Sequence, residues 1–434
     1  MPLRTRRVVG ALGVAVALAA IGYATLRPMP STEVRLPLLC LICGDLGAVD
    51  AILNVILFVP LGAALVFFGH SVRRAVLVAF LATFAVESLQ FTVVAGRDAS
   101  LGDLITNTLG SALGAMLVAT WRRWLRPRRR TAQGLAGGAA LAALLVLALT
   151  AAALRPSVPP PPYYGQYAPM RLTLVPFDGQ VHSFLVGNTV VPYGEVEGAE
   201  QMRAALLGGD YWGRVEVTTR SSPGERSDIV RVGSRPHSIL AISRRQHDLL
   251  FRARVRAADW RLRVPIVLLR GAFPRPWGRY TLEGALGTRG WHLKATGAEG
   301  ARTRDVPFSA LMGWSFLLPF EFHLDERLPL LNALWAVALV APAAYWAAWA
   351  ARRYPATGEP GRERAWGDWI WWLVPLTLTA VVALILPLTA GFPLAHPLET
   401  GGALAGAAIG ALLAQLAMLT QRRTSAAEVT RAVP

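Results

Sequence analysis

The sequence has very little lysine, cysteine and histidine. Lys294 is the only lysine among 434 residues, so arginine carries almost all of the formal charge of +17, which we interpret as the codon bias of a GC-rich bacterium. Two cysteines cannot build a disulfide framework, and the seven histidines are scattered without metal-ligand spacing. The sequence also lacks a Walker loop, a dinucleotide-binding glycine pattern and a zinc-protease helix. We therefore predict no metal site and no cofactor.

Charged residues are scarce as well. They make up 16% of the chain against 53% hydrophobic residues, and the mean hydropathy is +0.40. This balance is typical of a membrane protein. Segments long and apolar enough to cross a bilayer comprise residues 8–26, 51–69, 75–95, 101–121, 134–154, 329–351, 367–390 and 401–420. The first of these eight resembles a signal peptide, but its longer apolar run and the lack of a small-x-small cleavage site favour an uncleaved anchor.

The distribution of arginine predicts the orientation of these segments. Eighteen arginines lie in the N-terminal segment, in the loops after segments two, four and six, and in the C-terminal tail. The short loops on the opposite side contain only Arg27, Arg35 and Arg97. The positive-inside rule then places both termini in the cytoplasm of a bacterium, with the protein in its inner membrane. Because arginines beside apolar helices usually serve as topology signals, we expect no nucleic-acid partner.

Residues 155–327 differ in composition from the apolar segments around them. A proline-rich stretch over residues 155–168 favours an extended, stiff linker. It is followed, in residues 169–327, by short alternating runs bounded by Gly, Pro, Asp and Ser, with no strong helix between them. The nine runs are MRLTLV, VHSFLVG, WGRVEVTTR, SDIVRVG, HSILAISR, DLLFRARVRA, RLRVPIVLLRG, GRYTLEGAL and GWHLKATG. They predict an extracytoplasmic two-sheet sandwich or jelly roll.

The predicted organisation is therefore an α-helical membrane bundle interrupted by one all-β domain. It consists of a membrane unit of five spans over residues 1–154, the linker over 155–168, the sandwich over 169–327, three further spans over 328–421, and a cytoplasmic tail over 422–434. Cys40 and Cys43 fall in a non-cytoplasmic loop. A local disulfide is one interpretation, and two free thiols are the one that we favour from the sequence.

Polar side chains lie inside segments two to four, where an unpaired charge costs at least a few kcal/mol. They are Asn54 in segment two, Glu87 and Gln90 in segment three, Arg97 in the next loop, and Asp103 and Asn107 in segment four. Because successive segments alternate in direction, all six fall at one level of the outer leaflet. This convergence predicts a polar, ligand-binding pocket. The alternative is a set of helix-end caps with one buried Glu–Arg pair that locks the helices together.

The motifs around these residues resemble those of the VanZ-like membrane family. They are NVILFVPLG, ESLQ and GRDASLGDLITNTLGSALG, and together they cover about residues 45–120. The resemblance implies that the six polar residues occupy the family's shared polar positions. It also implies a link to teicoplanin-type glycopeptide resistance. The family has no settled biochemical activity, so the resemblance implies no reaction.

The sandwich region is similar to concanavalin A-like or laminin-G-like domains, through the stretch SILAISRRQHDLLFRARV. This similarity implies carbohydrate recognition, although no compact acidic loop for calcium is present. Trp212, Trp260, Trp277 and Trp291 offer rings on which a sugar can stack, but tryptophans in strands more often belong to the core.

One stretch of the last helical segments is similar in sequence to a stretch of the first unit. The stretch ETGGALAGAAIGALL aligns with DLITNTLGSALGAML, which places Glu399 over Asp103, and Gly406 and Gly410 over Gly110 and Gly114. A degenerate repeat is one explanation. Ordinary packing of helices rich in glycine and alanine is the stronger one, since no second Glu-x-x-Gln precedes this stretch.

Three functions are compatible with these patterns. The leading hypothesis is a bacterial cell-envelope protein whose outer-leaflet pocket recognises an anionic lipid-linked or cell-wall ligand, with the sandwich as an accessory carbohydrate-recognition domain. Its expected partners are membrane lipids or lipid-linked cell-wall precursors. The alternatives are a membrane enzyme acting on such an intermediate and a proton-coupled transporter. Apolar inner halves of segments two to four, such as GAALVFF and LVAFLATF, count against a transport pathway.

Overall fold

The computed structural model describes residues 3–28, 39–169, 175–209, 211–222, 224–234, 237–352 and 369–432, with side chains up to residue 421. Arg35, all but the last residue of the predicted strand MRLTLV, and most of the arginine-rich loop after segment six therefore lie outside the described residues. The chain divides into two compact units. Unit 1 comprises Met1–Ala132 with Ala417–Pro434, and unit 2 comprises Gln133–Leu416.

Apart from the ends of two helices that continue into unit 2, the secondary structure described for unit 1 consists of five helices. They are α1 (Leu3–Thr25), α2 (Gly47–Phe68), α3 (Val72–Thr92), α4 (Leu101–Ala119) and the short α5 (Trp121–Leu125). Serine side chains cap the N-termini of two of them, α3 and α4. The Ser71 hydroxyl accepts the backbone N–H of Arg74, and the Ser100 hydroxyl accepts that of Asp103. These caps satisfy backbone donors that the first turn of a helix leaves free.

Unit 2 contains the remaining α-helices. They are α6 (Arg129–Ala153), whose first residues belong to unit 1, α7 (Ala199–Gly208), α8 (Leu328–Ala350), α9 (Leu373–Ala380), α10 (Leu386–Ala390) and α11 (Pro397–Ala432), which runs on into unit 1. A 3₁₀ turn precedes α9 and a π-helical turn joins it to α10, so that Trp369–Ala390 forms one interrupted helix. By its contacts most of α6 belongs to unit 2, whereas its place in the sequence predicts that it belongs with the N-terminal spans.

The prediction of eight spanning segments is confirmed for the described residues. Eight helices in that part of the chain are long and apolar enough to cross a membrane. Their bounds differ from the predicted ones mainly at the start, since α1 begins at Leu3 and α2 at Gly47, several residues before the predicted spans. Polar or charged residues lower the hydropathy of these first turns, so a hydropathy pattern does not include them. The backbone hydrogen bonds of the helix are nevertheless formed there.

Two β-sheets form the all-β domain in unit 2. The strands are β1 (Tyr164–Tyr167), β2 (Gly179–Val186), β3 (Thr189–Val190), β4 (Gly194–Glu195), β5 (Trp212–Thr219), β6 (Ser227–Ser234), β7 (His237–Arg245), β8 (Asp248–Ala253), β9 (Ile266–Leu269), β10 (Gly278–Leu286), β11 (Gly290–Gly297), β12 (Gly300–Pro307) and β13 (His323–Leu324). The seven-stranded sheet has the order β13-β9-β8-β7-β6-β1-β4, and the six-stranded sheet has the order β12-β11-β10-β5-β2-β3. Every described pairing is antiparallel except that of β13 with β9.

The two sheets face each other across one hydrophobic core, which confirms the predicted sandwich. A side chain added at Gly284 in β10 would strike the ring of Phe251 in β8, and one at Gly213 in β5 would meet Leu240 in β7. These glycines therefore let the opposite sheet approach closely. Eight of the nine predicted strands coincide with β2 and β5 to β11, and the ninth, MRLTLV, is the one outside the described residues.

Three features of the sandwich differ from the prediction. The ten-residue helix α7 lies between β4 and β5, where no strong helix was expected, and it buries Met202 and Leu206. The strand β12 was missed because most of its residues are exposed, which removes the alternation that marks a strand. The proline-rich stretch is not a free linker at its end, because Tyr163 is fully buried in the core and β1 pairs with β6.

Glycines set the contact between α2 and α4. A Cβ atom at Gly110 would overlap the Val55 carbonyl oxygen, and one at Gly114 would overlap that of Val59. Gly62 has the same relation to Ser111 in the other direction. The two backbones therefore touch directly, as in other small-residue interfaces between membrane helices.

This contact predicts a sharp difference between two glycine substitutions. Gly114→Val should lower the stability of the protein in detergent by roughly 1–3 kcal/mol, the usual range for overpacking. Gly137→Val is the control, because Gly137 lies exposed on α6 with open space at its Cβ position. Thermal unfolding followed by size-exclusion chromatography measures the difference. Equal melting temperatures for the two variants would contradict the close contact.

Candidate functional site

Ser100 joins the two carboxylates of the predicted site. Its hydroxyl oxygen accepts the backbone N–H of Asp103 at 3.0 Å, which caps α4, and its own backbone N–H donates to Glu87 Oε2 at 2.9 Å. Asp103 Oδ1 in turn accepts Asn54 Nδ2 at 2.7 Å. Side chains from α2, α3 and α4 are thus linked through one cap residue. We call Asn54, Glu87, Ser100 and Asp103 the carboxylate cluster.

Two of the predicted site residues form hydrogen bonds with α1 and not with the carboxylate cluster. Arg97 donates from Nη2 to the Ala24 carbonyl at 2.9 Å and from Nε to the Arg27 carbonyl at 3.3 Å. Gln90 Nε2 donates to the Thr25 carbonyl at 2.8 Å. These carbonyls end α1, where backbone acceptors have no helical partner. Arg97 and Gln90 therefore cap the C-terminus of α1, a helix for which the sequence predicts no part in the site.

Asn107, the sixth predicted residue, lies one turn deeper along α4. Its side chain is 2% exposed, and its Oδ1 has no hydrogen-bond donor among the described residues. Gln90 Oε1 is likewise buried without a donor. Buried acceptors of this kind are rare in folded proteins, since each loses its hydration without compensation. The site thus contains two amide oxygens that can still accept a hydrogen bond.

The alternative, in which these residues only cap helix ends and form a Glu–Arg pair between helices, holds only in part. Helix caps are present at Ser100 and Arg97, but no ion pair forms between Glu87 and Arg97 within the described chain. The Arg97 Nη1 atom also has no partner there, because the guanidinium uses only Nε and Nη2 on α1. Glu87 is 9% exposed, whereas Asn54, Arg97 and Asp103 are half-buried. The cluster is accordingly accessible from its rim.

A disulfide closes the loop before α2. Cys40 and Cys43 are joined, with their Cα atoms 5.7 Å apart, so the expectation of two free thiols is wrong. The spacing alone did not decide between the two states. The Cys40 carbonyl accepts the backbone N–H of Gly102 at 3.1 Å, and a Cβ at Gly102 would overlap Leu41. The disulfide loop therefore packs on the first turn of α4, next to Asp103.

Ser100 is the functional residue that the sequence analysis missed. The signal was available, because Ser-x-x-Asp before an apolar helix is a capping pattern. The far halves of the same helices are apolar, with Phe58, Leu61 and Ala79 in their core. Thr83 is the buried polar residue of α3 on that side of Glu87, and its hydroxyl has no hydrogen-bond partner among the described residues.

These features define a multi-pass helical membrane protein that carries a separate β-sandwich. Within it, residues 16–122 match the model of the VanZ/LLP1 family, so this part of the chain is a VanZ-like domain. The matched range contains all six predicted site residues and the last ten residues of α1. No curated protein and no solved structure matches the chain. The likeness of the sandwich to concanavalin A-like or laminin-G-like domains therefore stays a prediction.

The hydrogen bond between Asn54 and Asp103 predicts the effect of adding a second carboxylate at position 54. In Asn54→Asp, two carboxylates would face each other at hydrogen-bond distance, and the variant should lose roughly 1–3 kcal/mol of stability at neutral pH. Acid should restore part of this loss, because protonating one carboxylate removes the repulsion. Melting temperatures measured at pH 8 and pH 5 test this prediction.

The exchanged pair Asn54→Asp with Asp103→Asn is the matched control. It keeps one amide and one carboxylate in contact, so its melting temperature should lie near that of the native protein. A double variant as unstable as Asn54→Asp alone would contradict the pairing.

Proposed function

We propose that the VanZ-like domain binds the anionic head group of a membrane lipid or of a lipid-linked cell-wall intermediate. The observation that carries the proposal is the combination of Arg97 with unpaired amide oxygens beside the carboxylate cluster. A guanidinium group binds phosphate or carboxylate through paired N–H donors. Asn107 Oδ1 and Gln90 Oε1 are buried without a donor among the described residues, so hydroxyl or amide groups of a ligand that enters the site would satisfy them. A sugar-bearing phospholipid presents both kinds of group.

The proposed orientation places this end of the helices outside the cytoplasm, in the outer leaflet of a bacterial inner membrane. The count of eighteen arginines on one side against three on the other supports it. The Cys40–Cys43 disulfide supports it independently, because disulfides persist in oxidising compartments and are rare in the cytosol. In this orientation the sandwich is extracytoplasmic and both termini are cytoplasmic.

The sandwich, in this proposal, is an accessory domain that recognises carbohydrate. A head group that carries sugars, held by the bundle, would then have a second contact on the same polypeptide. The VanZ/LLP1 match extends the proposal to resistance against teicoplanin-type glycopeptides, which act at the cell wall.

A membrane enzyme acting on the same class of lipid is the second candidate. The specific observation in its favour is that Glu87 and Asp103 share one serine, since paired carboxylates can divide the roles of general acid and general base. Glu87→Gln and Asp103→Asn would then abolish turnover while lipid binding persists. The packed apolar far halves of α2 to α4 count against a proton-coupled transporter.

Arg97 predicts which lipids accompany the protein. The full-length native protein, purified in mild detergent from bacterial membranes, should carry an enriched phosphate-bearing lipid that mass spectrometry identifies. Arg97→Gln should reduce this enrichment at least tenfold, because the neutral amide loses the charge that pairs with the phosphate. Arg97→Lys should retain part of it, since an ammonium keeps the charge without the planar fork.

The control for this experiment is Arg73→Gln, which removes an exposed arginine at the opposite end of α3. Its lipid content should equal that of the native protein. Melting temperatures of all variants separate lost binding from lost folding, because Arg97 also caps α1. Native protein without any enriched anionic lipid would refute the proposal.

The proposed resistance has a cellular test. Bacteria that express the native protein should tolerate a higher teicoplanin concentration than cells with an empty vector, and Arg97→Gln should remove this advantage at equal protein level. The minimal inhibitory concentration is the measurement. An unchanged value for cells expressing native protein would exclude resistance while leaving lipid binding open to the mass-spectrometric test.

A further inference from the structure

A small cleft lies at one end of the six-stranded sheet of the sandwich. The loop before β10 forms one wall, and the turn from β11 to β12 forms the other. Its lining includes Arg275, Trp277, Arg279, Tyr280, Glu299 and Arg302. The cavity volume is about 70 Å³. Since one water takes up about 10–15 Å³ by this measure, the cleft has room for a carboxylate or phosphate group but not for a whole sugar chain.

Trp277 differs from the other tryptophans proposed for sugar contact. Trp291 is 2% exposed and packs edge-on against Phe308, and Trp260 is partly buried against the same core. The Trp277 side chain, by contrast, is 59% exposed at the rim of the cleft. The Arg275 guanidinium lies over this ring, 5.8 Å from its centre. The exposed part of the indole still offers a flat apolar surface on which a sugar ring can stack.

The charges around the cleft are mainly positive. Arg275 pairs with Glu299 at 2.6 Å, and Arg279 pairs with Glu216 at 3.2 Å. Arg302 is exposed and has no carboxylate partner among the described residues. Its guanidinium lies over Gly271, where a Cβ atom would come within 2.8 Å of Nη1. The cleft therefore holds one arginine available for an anion, beside two arginines that are already paired.

The loop that carries Trp277 is held firmly from below. Arg244, fully buried, donates from Nη1 to the Pro276 carbonyl at 3.0 Å and lies 4.4 Å from the Phe273 ring centre. The Tyr280 hydroxyl donates to the Arg275 carbonyl at 3.0 Å. Burial lowers the pKa of Arg244 from its ordinary value. Such support presents a binding surface in advance, which reduces the entropy lost on binding.

We propose that this cleft binds an acidic saccharide, with its carboxylate or phosphate group on Arg302 and its sugar ring stacked on Trp277. The inference rests on the carbohydrate-recognition role proposed for the sandwich and names the class of sugar. A nucleic acid fits less well, because single strands are bound along extended grooves with several exposed aromatic rings. Here one exposed ring stands beside one short cleft.

Calorimetry on the full chain in detergent tests the proposal with three probes of equal length. An oligouronate supplies carboxylates, a phosphorylated oligoglucan supplies phosphates, and the unphosphorylated oligoglucan is the neutral control. At least one acidic probe should bind tenfold or more tightly than the neutral one, and added salt should weaken it. Comparison of the two acidic probes shows which anionic group is preferred.

Variants locate the binding. Trp277→Ala and Arg302→Gln should each weaken the acidic probe at least tenfold, while Phe320→Ala and Arg214→Gln, exposed sandwich residues outside the cleft lining, should not. If the native protein and the cleft variants bind an acidic probe equally well, the saccharide does not bind in this cleft. The role proposed for the sandwich would still stand. If the native protein binds none of the probes, both fail. Tighter binding of a single-stranded oligonucleotide than of either saccharide would also overturn the proposal.

A second inference concerns the C-terminal helices and has a different basis. Asn332 in α8 donates from Nδ2 to Glu399 Oε1 in α11 at 2.6 Å, as Asn54 donates to Asp103. A side chain added at Gly402 would overlap Ala333, and one at Gly406 would press closely on Val337. These are the first and fifth residues after Asn332. In unit 1 the corresponding contacts of Gly110 and Gly114 are with Val55 and Val59, the first and fifth residues after Asn54.

We infer that α8 and α11 are a degenerate second copy of α2 and α4, in a register four residues from that of the sequence alignment. In this register Glu399 lies three residues before Gly402, as Asn107 lies three before Gly110, so Glu399 replaces Asn107 and not Asp103. The sequence alignment pairs the acidic residues Glu399 and Asp103. The helix contacts instead pair Asn332 with Asn54.

The second copy has a different use for its polar pair. Asn332 Oδ1 accepts Trp314 Nε1 at 2.8 Å, and Glu399 Oε2 accepts the His396 backbone N–H at 3.2 Å. Trp314 belongs to the 3₁₀ segment Ala310–Leu317, which follows β12. With Asn332 and Glu399 1% and 3% exposed, the pair fastens the end of the sandwich to the helices and leaves no site for a ligand.

Limited proteolysis and thermal unfolding test this second inference on the full chain. Trp314→Phe should make the sandwich more sensitive to protease, while the lipids that accompany the protein stay unchanged. Gly402→Val should lower the melting temperature, and Gly401→Val should not, because the Cβ position at Gly401 is open. Native protease resistance in Trp314→Phe would refute the fastening role, and equal stability of the two glycine variants would refute the register.

Discussion

The hydrogen bond from Asn54 to Asp103 is the constraint on which the VanZ-like domain depends. Inside a bilayer a polar side chain has no water to bind, so each one must find its partner in the protein or face an ionic or polar ligand. Asn54 satisfies one oxygen of Asp103, and Ser100 ties Glu87 to the same helix start. This bond requires α2 and α4 to lie very close, and the glycines of α4 make that approach possible.

The same constraint explains why α1 belongs to the site. Its last carbonyls would be unsatisfied acceptors at the level where the chain leaves the helix. Arg97 and Gln90 supply donors to them, which fixes the position of the loop between α3 and α4. Once Arg97 is fixed by two of its nitrogens, the third is held in place without the entropy loss that a free arginine would suffer on binding an anion.

The sequence predicts elements better than partners, and particular residues show why. Eight spans and eight described strands follow from local composition, since hydropathy and alternation are properties of neighbouring residues. The strand β12 has neither signal, because its side chains face mostly outward. That Glu87, Asp103 and Asn54 converge was predictable from helix direction. That Arg97 binds α1, and not Glu87, depends on contacts over about seventy residues that no spacing rule contains.

Comparison of the two helix copies contrasts the proposed binding site with a structural joint. Both contain an asparagine paired with a carboxylate across glycine-lined helices. In the second copy Trp314 and the His396 backbone occupy the acceptors of the pair, and both side chains are buried. In the first copy the pair is half-buried, a second carboxylate and an arginine lie beside it, and two amide oxygens have no donor. Packing is shared between the copies, so the ligand binding that we propose depends on the polar residues that the second copy lacks.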